Sequence, residues 1–174
     1  MKKYLPFIVL FGFLSLNCGY ATRSTLPSNI RTVFVAPFKN SVIYENEGNR
    51  NIYLPLLEQK VRNEIINRFL FDGVLKIGKE DQSDLILKGE LKSYDRSGLR
   101  YTDNNDVQEY RITITVSLEL WNREKNEMVW SEPGFSGEAS YFVSGPQAKT
   151  EDAALQDAIK DLARRVIERT VEDW

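Results

Sequence analysis

The chain has 174 residues, one Cys, no His and a formal net charge of −2. A lone thiol excludes an internal disulfide and a Cys-rich zinc site, the absence of imidazole excludes Ser-His-Asp and Cys-His catalysis, and the slight acidity argues against a nucleic-acid partner. With 42% hydrophobic and 28% charged residues the composition is that of a globular chain.

Met1-Lys2-Lys3 is a short basic start, and an almost wholly apolar run follows from Tyr4 to Leu16. A transmembrane helix needs about 20 apolar residues, so the run is too short to span. It reads as the hydrophobic region of a secretory leader covering residues 1–17. The only thiol, Cys18, stands at the processing site. The leading expectation is a bacterial lipoprotein whose mature chain begins at Cys18, with N-acyl and S-diacylglycerol chains on that residue. A cleaved leader with an incidental thiol is the plainer reading. Leu14-Ser15-Leu16-Asn17-Cys18 is a relaxed lipidation sequence, with Asn17 where Gly or Ala is usual. Gly19, rather than Asp, after the Cys points to the outer membrane, and two or more acyl chains anchor firmly.

Residues 18–30 are polar and read as a lipidated tether, leaving 31–174 as the folded domain. Val33–Phe38 is an apolar run that fits a strand covered on both faces, ending near Pro37. Lys39 to Arg50 reads as an exposed loop. Leu54, Leu57, Val61, Ile65 and Phe69 recur at spacings of three or four, which predicts a helix over Ile52–Phe71. Asp72-Gly73 supplies its stop, and Val74–Ile77 a short strand.

Leu85, Leu87, Gly89 and Leu91 alternate with Ile86, Lys88, Glu90 and Lys92. Ile112, Ile114, Val116, Leu118 and Leu120 alternate with Arg111, Thr113, Thr115, Ser117 and Glu119. Period-two alternation means one buried and one polar face, and Thr102–Asp106 is the turn of a long antiparallel hairpin. Asn122–Asn126 is the next turn. Met128–Trp130 and Phe135–Val143 continue the meander, with a break at Pro133-Gly134. A helix capped by Thr150 covers Glu151–Glu172, its core stripe formed by Leu155, Ile159, Leu162 and Val166. The predicted class is α+β: a mostly antiparallel or mixed sheet with two helices packed on one face. The Arg111/Thr113/Thr115 face is left open.

No catalytic residue, metal ligand or cofactor site is expected. Asp81 and Asp84, like Asp103 and Asp106, sit where turns favour Asp for backbone reasons. Ser136-Gly137-Glu138 and Ser144-Gly145-Pro146 lack a base, and no phosphate loop is present. One constellation stands out. Lys88, Lys92, Arg96 and Arg100 fall every fourth residue on one strand arm, with Arg111 on the partner arm. Spacings of four keep one face of a strand, so the stripe extends about 40 Å if the strand is unbroken. A bulge at Ser97-Gly98 would turn part of it away. The stripe reads either as an ordinary solvated face, which Glu90 between the two lysines favours, or as a row of cations for an acidic ligand.

These residues in order resemble the lipopolysaccharide-assembly lipoprotein family, LptE. The features are Cys18-Gly19-Tyr20, Leu26-Pro27 with Ile30 before the first strand, and Phe69-Leu70-Phe71-Asp72-Gly73. Asp84 to Leu91, the alternating Tyr110–Trp121 strand, Gly137-Glu138-Ala139-Ser140-Tyr141 and a terminal helix closing on Trp174 complete the pattern. The resemblance implies a non-enzymatic outer-membrane lipoprotein that plugs and helps assemble a large β-barrel, LptD. It implies delivery of lipopolysaccharide to the cell surface and contact with that glycolipid through basic residues, here Lys88, Lys92, Arg96, Arg100 and Arg111. The domain is then lipid-anchored, on the periplasmic side or inside the barrel lumen. The first strand, long helix and Asp84-to-Gly89 segment also resemble CsgG- and LpoB-like lipoproteins, which are secretion-channel subunits or peptidoglycan-synthase activators. A stoichiometric complex with one barrel, against a ring of identical subunits, separates the two.

Overall fold

A computed structural model describes residues 26–42 and 54–172. The expected leader 1–17, Cys18 and the tether as far as residue 25, residues 43–53 of the expected loop and helix start, and Trp174 lie outside the described residues. The elements are β1 (Thr32–Val35), β2 (Lys39–Asn40), α1 (Leu57–Asp72), β3 (Lys76–Ile77), β4 (Leu85–Tyr101), β5 (Val107–Asn122), β6 (Glu127–Phe142) and α2 (Glu151–Glu172). They form one mixed sheet in the order β3-β1-β4-β5-β6, with β2 also beside β4. β1 and β2 run parallel to β4, and β4, β5 and β6 form an antiparallel meander. The architecture is α+β.

Local sequence accounts for the boundaries. β1 is shorter than the apolar run containing it, because Pro37 has no N–H to donate. Ala36 still donates to Leu87 O at 2.9 Å, and the chain then rejoins the sheet as β2. Two residues of the expected loop are therefore strand. α1 starts at Leu57 rather than Ile52. Leu56 has φ 59°, a left-handed backbone that a helix cannot continue through. At the other end Gly73 takes φ 76° and donates to Phe69 O at 3.0 Å, closing the helix as its sequence predicts. β6 is continuous where a break was expected. The register shifts between Val116 and Leu118, so Pro133-Gly134 form a bulge inside one strand.

Both helices lie over the same face. Leu57, Val61, Ile65 and Phe69 of α1 are buried, as are Leu155, Ile159, Leu162 and Val166 of α2. They meet Leu85, Leu87, Leu91, Ile112, Ile114, Val116, Leu118 and Leu120 from the sheet. Two glycines permit close approach. A Cβ on Gly137 would lie 2.4 Å from Leu162 Cβ and 2.6 Å from Ala158 O, so α2 rests directly on the β6 backbone. A Cβ on Gly89 would lie 2.3 Å from the ring of the buried Phe38. Arg62 of α1 donates to Val35 O at 2.8 Å and to Ala36 O at 3.1 Å, fixing the helix to the end of β1. Among the described residues no helix is long and apolar enough to cross a membrane.

Candidate functional site

Strand register decides which side of the sheet each candidate cation occupies. Residues directly opposite one another on neighbouring strands share a face. On β5 the buried Ile112, Ile114, Val116, Leu118 and Leu120 face the helices, so Arg111, Thr113, Thr115, Ser117, Glu119 and Trp121 face outward. Lys88 lies opposite Glu119, and Arg100 opposite Glu109, so both belong to the open face. Arg96 lies opposite Ile112 and belongs to the covered face.

The expectation of one unbroken stripe is therefore corrected. Leu91 pairs with Val116 and Ser93 with Thr115, so Lys92 is an extra residue. That bulge reverses the alternation beyond it, carrying Tyr94 and Arg96 to the helix side. A second shift between Gly98 and Arg100 reverses it again. The irregularities sit at Lys92, at Leu99 just beyond the expected Ser97-Gly98 bulge, and between Arg100 and Tyr101. Spacings of four hold one face only while the ladder is regular.

The five residues consequently fall into three settings. Lys88 places its ammonium 4.7 Å from the centroid of the Trp121 ring, whose Nε1 donates to Glu119 at 3.0 Å. Lys92 pairs with Glu90 at 2.8 Å. The Lys92 ammonium, then the Ser41 hydroxyl, hold the Glu90 carboxyl below its ordinary 4.5. Between these residues and the β1–β2 link opens a groove of about 380 Å³, lined by Pro37, Lys39, Lys88, Glu90, Ser117 and Glu119. Its charges are balanced, so it is no simple anion pocket.

Arg100 and Arg111 form the second setting, near the hairpin tip. Arg100 lies opposite Glu109, two residues before Arg111 on the same face, so the guanidinium-bearing residues are diagonal neighbours. Each has a loose carboxylate partner: Glu109 at 3.6 Å for Arg100 and Glu138 at 3.6 Å for Arg111. Their side chains are 62% and 46% exposed, and Arg100 also sits 5.5 Å from the Phe142 ring. Exposed ion pairs of this length contribute little and exchange readily for a better anion. Two arginines beside an aromatic ring suit a phosphate-bearing amphiphile.

Arg96 is the third setting and is structural. It forms an ion pair with Glu151 in the first turn of α2. Tyr94 donates to the same carboxylate at 2.8 Å and Tyr141 at 3.3 Å. Tyr110 stacks on Tyr141, with ring centroids 5.7 Å apart, and the Arg96 guanidinium lies 4.8 Å from the Tyr110 ring. Burial, then the bond to Glu151, push the Tyr94 phenol well above its ordinary value. Sequence reasoning saw Glu151 only as a residue suited to a helix start. Its role as the acceptor joining β4, β6 and α2 depends on the Lys92 bulge, which has no local signature.

Asp84 is likewise structural. Its Oδ2 accepts from Arg31 N at 2.9 Å, Thr32 N at 3.0 Å and Thr32 Oγ1 at 2.8 Å, clamping the start of β1 to that of β4. Burial works to raise its pKa. The bonds from Arg31 and Thr32, with the charge of Arg123, outweigh it and hold the carboxyl below its ordinary 3.8. Asp103 and Asp106 lie in the hairpin turn, where Thr102 Oγ1 accepts from Asp106 N at 3.1 Å. Among the described residues no group of His, Cys, Asp or Glu side chains is placed to hold a metal ion.

Comparison with known proteins places this arrangement. The chain resembles protein XCC0632 of Xanthomonas campestris (13% identity, 86% of this chain and 88% of that one, TM-score 0.59). It also resembles lipoprotein B of Nitrosomonas europaea (13% identity, 84% of each chain, TM-score 0.56). A third is a minor lipoprotein of Acinetobacter baumannii (13% identity, 80% of this chain and 91% of that one, TM-score 0.50). At these identities the likeness is one of fold. Among curated proteins no sequence relative matches. The family model described as lipopolysaccharide-assembly, LptE, matches residues 30–170, from the buried Ile30 to Thr170 in the last turn of α2. That span takes in the whole sheet, α1 and all but the last two residues of α2, and the chain belongs to the LptE family of lipopolysaccharide-assembly proteins.

Proposed function

We propose that the protein is a non-enzymatic outer-membrane lipoprotein, cleaved after residue 17 and acylated on Cys18. Its domain, residues 31–174, acts as plug and assembly partner of an LptD-like β-barrel and assists lipopolysaccharide transport to the cell surface. The family match over residues 30–170 carries this reading. The open sheet face supports it physically. Arg111, Thr113, Thr115, Ser117 and Glu119 present a polar surface suited to a wet barrel lumen.

Arg100 and Arg111 are the proposed lipopolysaccharide contacts, with Lys88 and Lys92 farther along the open face. Arg96 is omitted because Glu151 engages it on the helix side. The test is binding of lipopolysaccharide to the parent, to a double variant Arg100→Ser with Arg111→Ser, and to Arg96→Ser. Binding should weaken in the double variant and fall with rising salt in the parent. Equal binding by parent and double variant at low salt would make the open face an ordinary solvated surface. In cells, depletion should lower the amount of assembled barrel and admit large hydrophobic antibiotics. Normal barrel assembly on depletion would overturn the plug role.

A further inference from the structure

The carboxyl end of α1 carries an apolar surface that the core does not use. Phe71 is 81% exposed, Leu70 64% and Val74 42%, while the buried stripe of the helix stops at Phe69. Single exposed apolar residues need no explanation, but three within five positions around a helix end form a local feature. Arg68 adds a second observation. Its guanidinium lies 5.2 Å from the Phe71 ring, and its Nε is buried without a hydrogen-bond partner. An aromatic and two aliphatic side chains beside a cation match the boundary between acyl chains and phosphates in a bilayer.

Position in the fold selects this occupant over others. Lys76, five residues beyond Phe71, pairs with Thr32 and donates its backbone N–H to Arg31 O at 2.9 Å. The apolar corner therefore lies beside the point where the chain enters the domain. Even fully extended, residues 18–25 reach only about 28 Å, so a lipid on Cys18 holds this end of the domain near the membrane. Among the described residues, the other exposed large apolar side chains are Leu99 and Tyr101 at the far end of β4, with Leu56, Met128 and Val143 apart from one another in the chain. In the neighbouring chain Arg31, Lys76 and Lys79 are matched in number by Asp72, Glu80 and Asp81, leaving Arg68 in excess, so a contact here would rest on apolar insertion more than on net charge.

We propose that Leu70, Phe71 and Val74 form a membrane-contact patch that settles into the interfacial zone of the bilayer anchoring the chain, with Arg68 meeting lipid phosphate. The proposal rests on the acylated-Cys18 reading only for its tether, and the experiment supplies that tether chemically. The chain from Cys18 onward, coupled through its sole thiol to maleimide-bearing lipid, is placed on phosphatidylethanolamine–phosphatidylglycerol vesicles with brominated acyl chains. Phe71→Trp should show a blue-shifted contribution over the parent and at least twofold stronger bromine quenching, both little changed by 0.5 M salt. Adding Leu70→Ser and Val74→Ser should remove most of that quenching. Equal quenching of parent and Phe71→Trp would overturn the proposal. So would unquenched Phe71→Trp together with loss of barrel co-purification by Phe71→Ser, which would make the corner a protein interface. Fatty-acid labelling of Cys18 in cells reads the anchor separately, so failure of either idea is recognised on its own.

Discussion

Replacing Gly137 by Ala tests whether α2 rests on the backbone of β6. The new methyl would stand 2.4 Å from Leu162 Cβ, 2.6 Å from Ala158 O and 2.6 Å from Leu162 N. Two of those atoms are helix backbone, so no side-chain rotation relieves the clash. Ordinary carbon contacts lie near 3.5–4.0 Å, so α2 must retreat by about 1 Å along a surface that buries Ala154, Ala158, Leu162 and Ala163. Overpacking of this kind costs about 3 kcal/mol, which for a chain of this size lowers Tm by roughly 6–12 °C. Gly134→Ala is the control. It lies in the same strand and has nothing within 4 Å of its would-be Cβ. That variant should stay within about 0.5 kcal/mol of the parent. Urea unfolding followed by circular dichroism gives both values. If Gly137→Ala and Gly134→Ala are equally stable, the close helix–sheet approach is wrong.

Asp84→Ala should cost about 2–3 kcal/mol, because it strands the backbone N–H groups of Arg31 and Thr32 that now donate to a charged acceptor. The parent's Asp84 has a folded-state pKa below 3.8, so its contribution is present above that value and is lost as pH falls through the lower, folded value. Acid titrations of parent and variant should therefore converge below pH 3.8. Tyr94 acts at the other extreme. Its raised pKa means that its stabilising effect is complete below pH 10.0 and declines above it, and Tyr94→Phe should flatten that alkaline loss. A double-mutant cycle of Arg96→Ala with Glu151→Ala should give a coupling energy of about 1–2 kcal/mol, whereas additive effects would deny the link between β4 and α2.

Elements whose burial repeats along the chain were legible from sequence. In β5 each alternate residue carries its own burial signal, so Ile112 to Leu120 defined the covered face without reference to any neighbour. The stripe Leu57, Val61, Ile65 and Phe69 did the same for α1, and Gly73 marked its end. What stayed hidden depends on pairing between distant segments. Lys92 is a bulge only because Leu91 and Ser93 face consecutive residues of β5. Nothing within Leu91-Lys92-Ser93 announces it, yet it decides that Arg96 is a tie to α2 while Arg100 is open to solvent. β2 escaped notice for a similar reason: Lys39-Asn40 is polar and becomes strand through the neighbouring β4. Asp84 and Glu151 were read by their local turn and helix-start preferences. Of the groups these carboxylates engage, Arg31, Thr32, Tyr94 and Arg96 lie 52 to 57 residues away in the chain.

The 17 residues of β4 have one more consequence. At the usual rise the strand measures about 55 Å, somewhat less where it bulges, against roughly 40–45 Å for a bilayer with its headgroups. Its first residues sit beside β1, where the chain arrives, and its last lead into the Thr102–Asp106 turn. If Cys18 carries the proposed lipid, the meander is a ruler with one end held near that anchor. Its reach is set by a hydrogen-bonded ladder, not by slack in a linker. Housed upright in a barrel, it would carry the turn from one side of the membrane to the other. Deleting two opposed residue pairs near the tip would draw that turn back by about 7 Å, at a place where the helices contribute little cover.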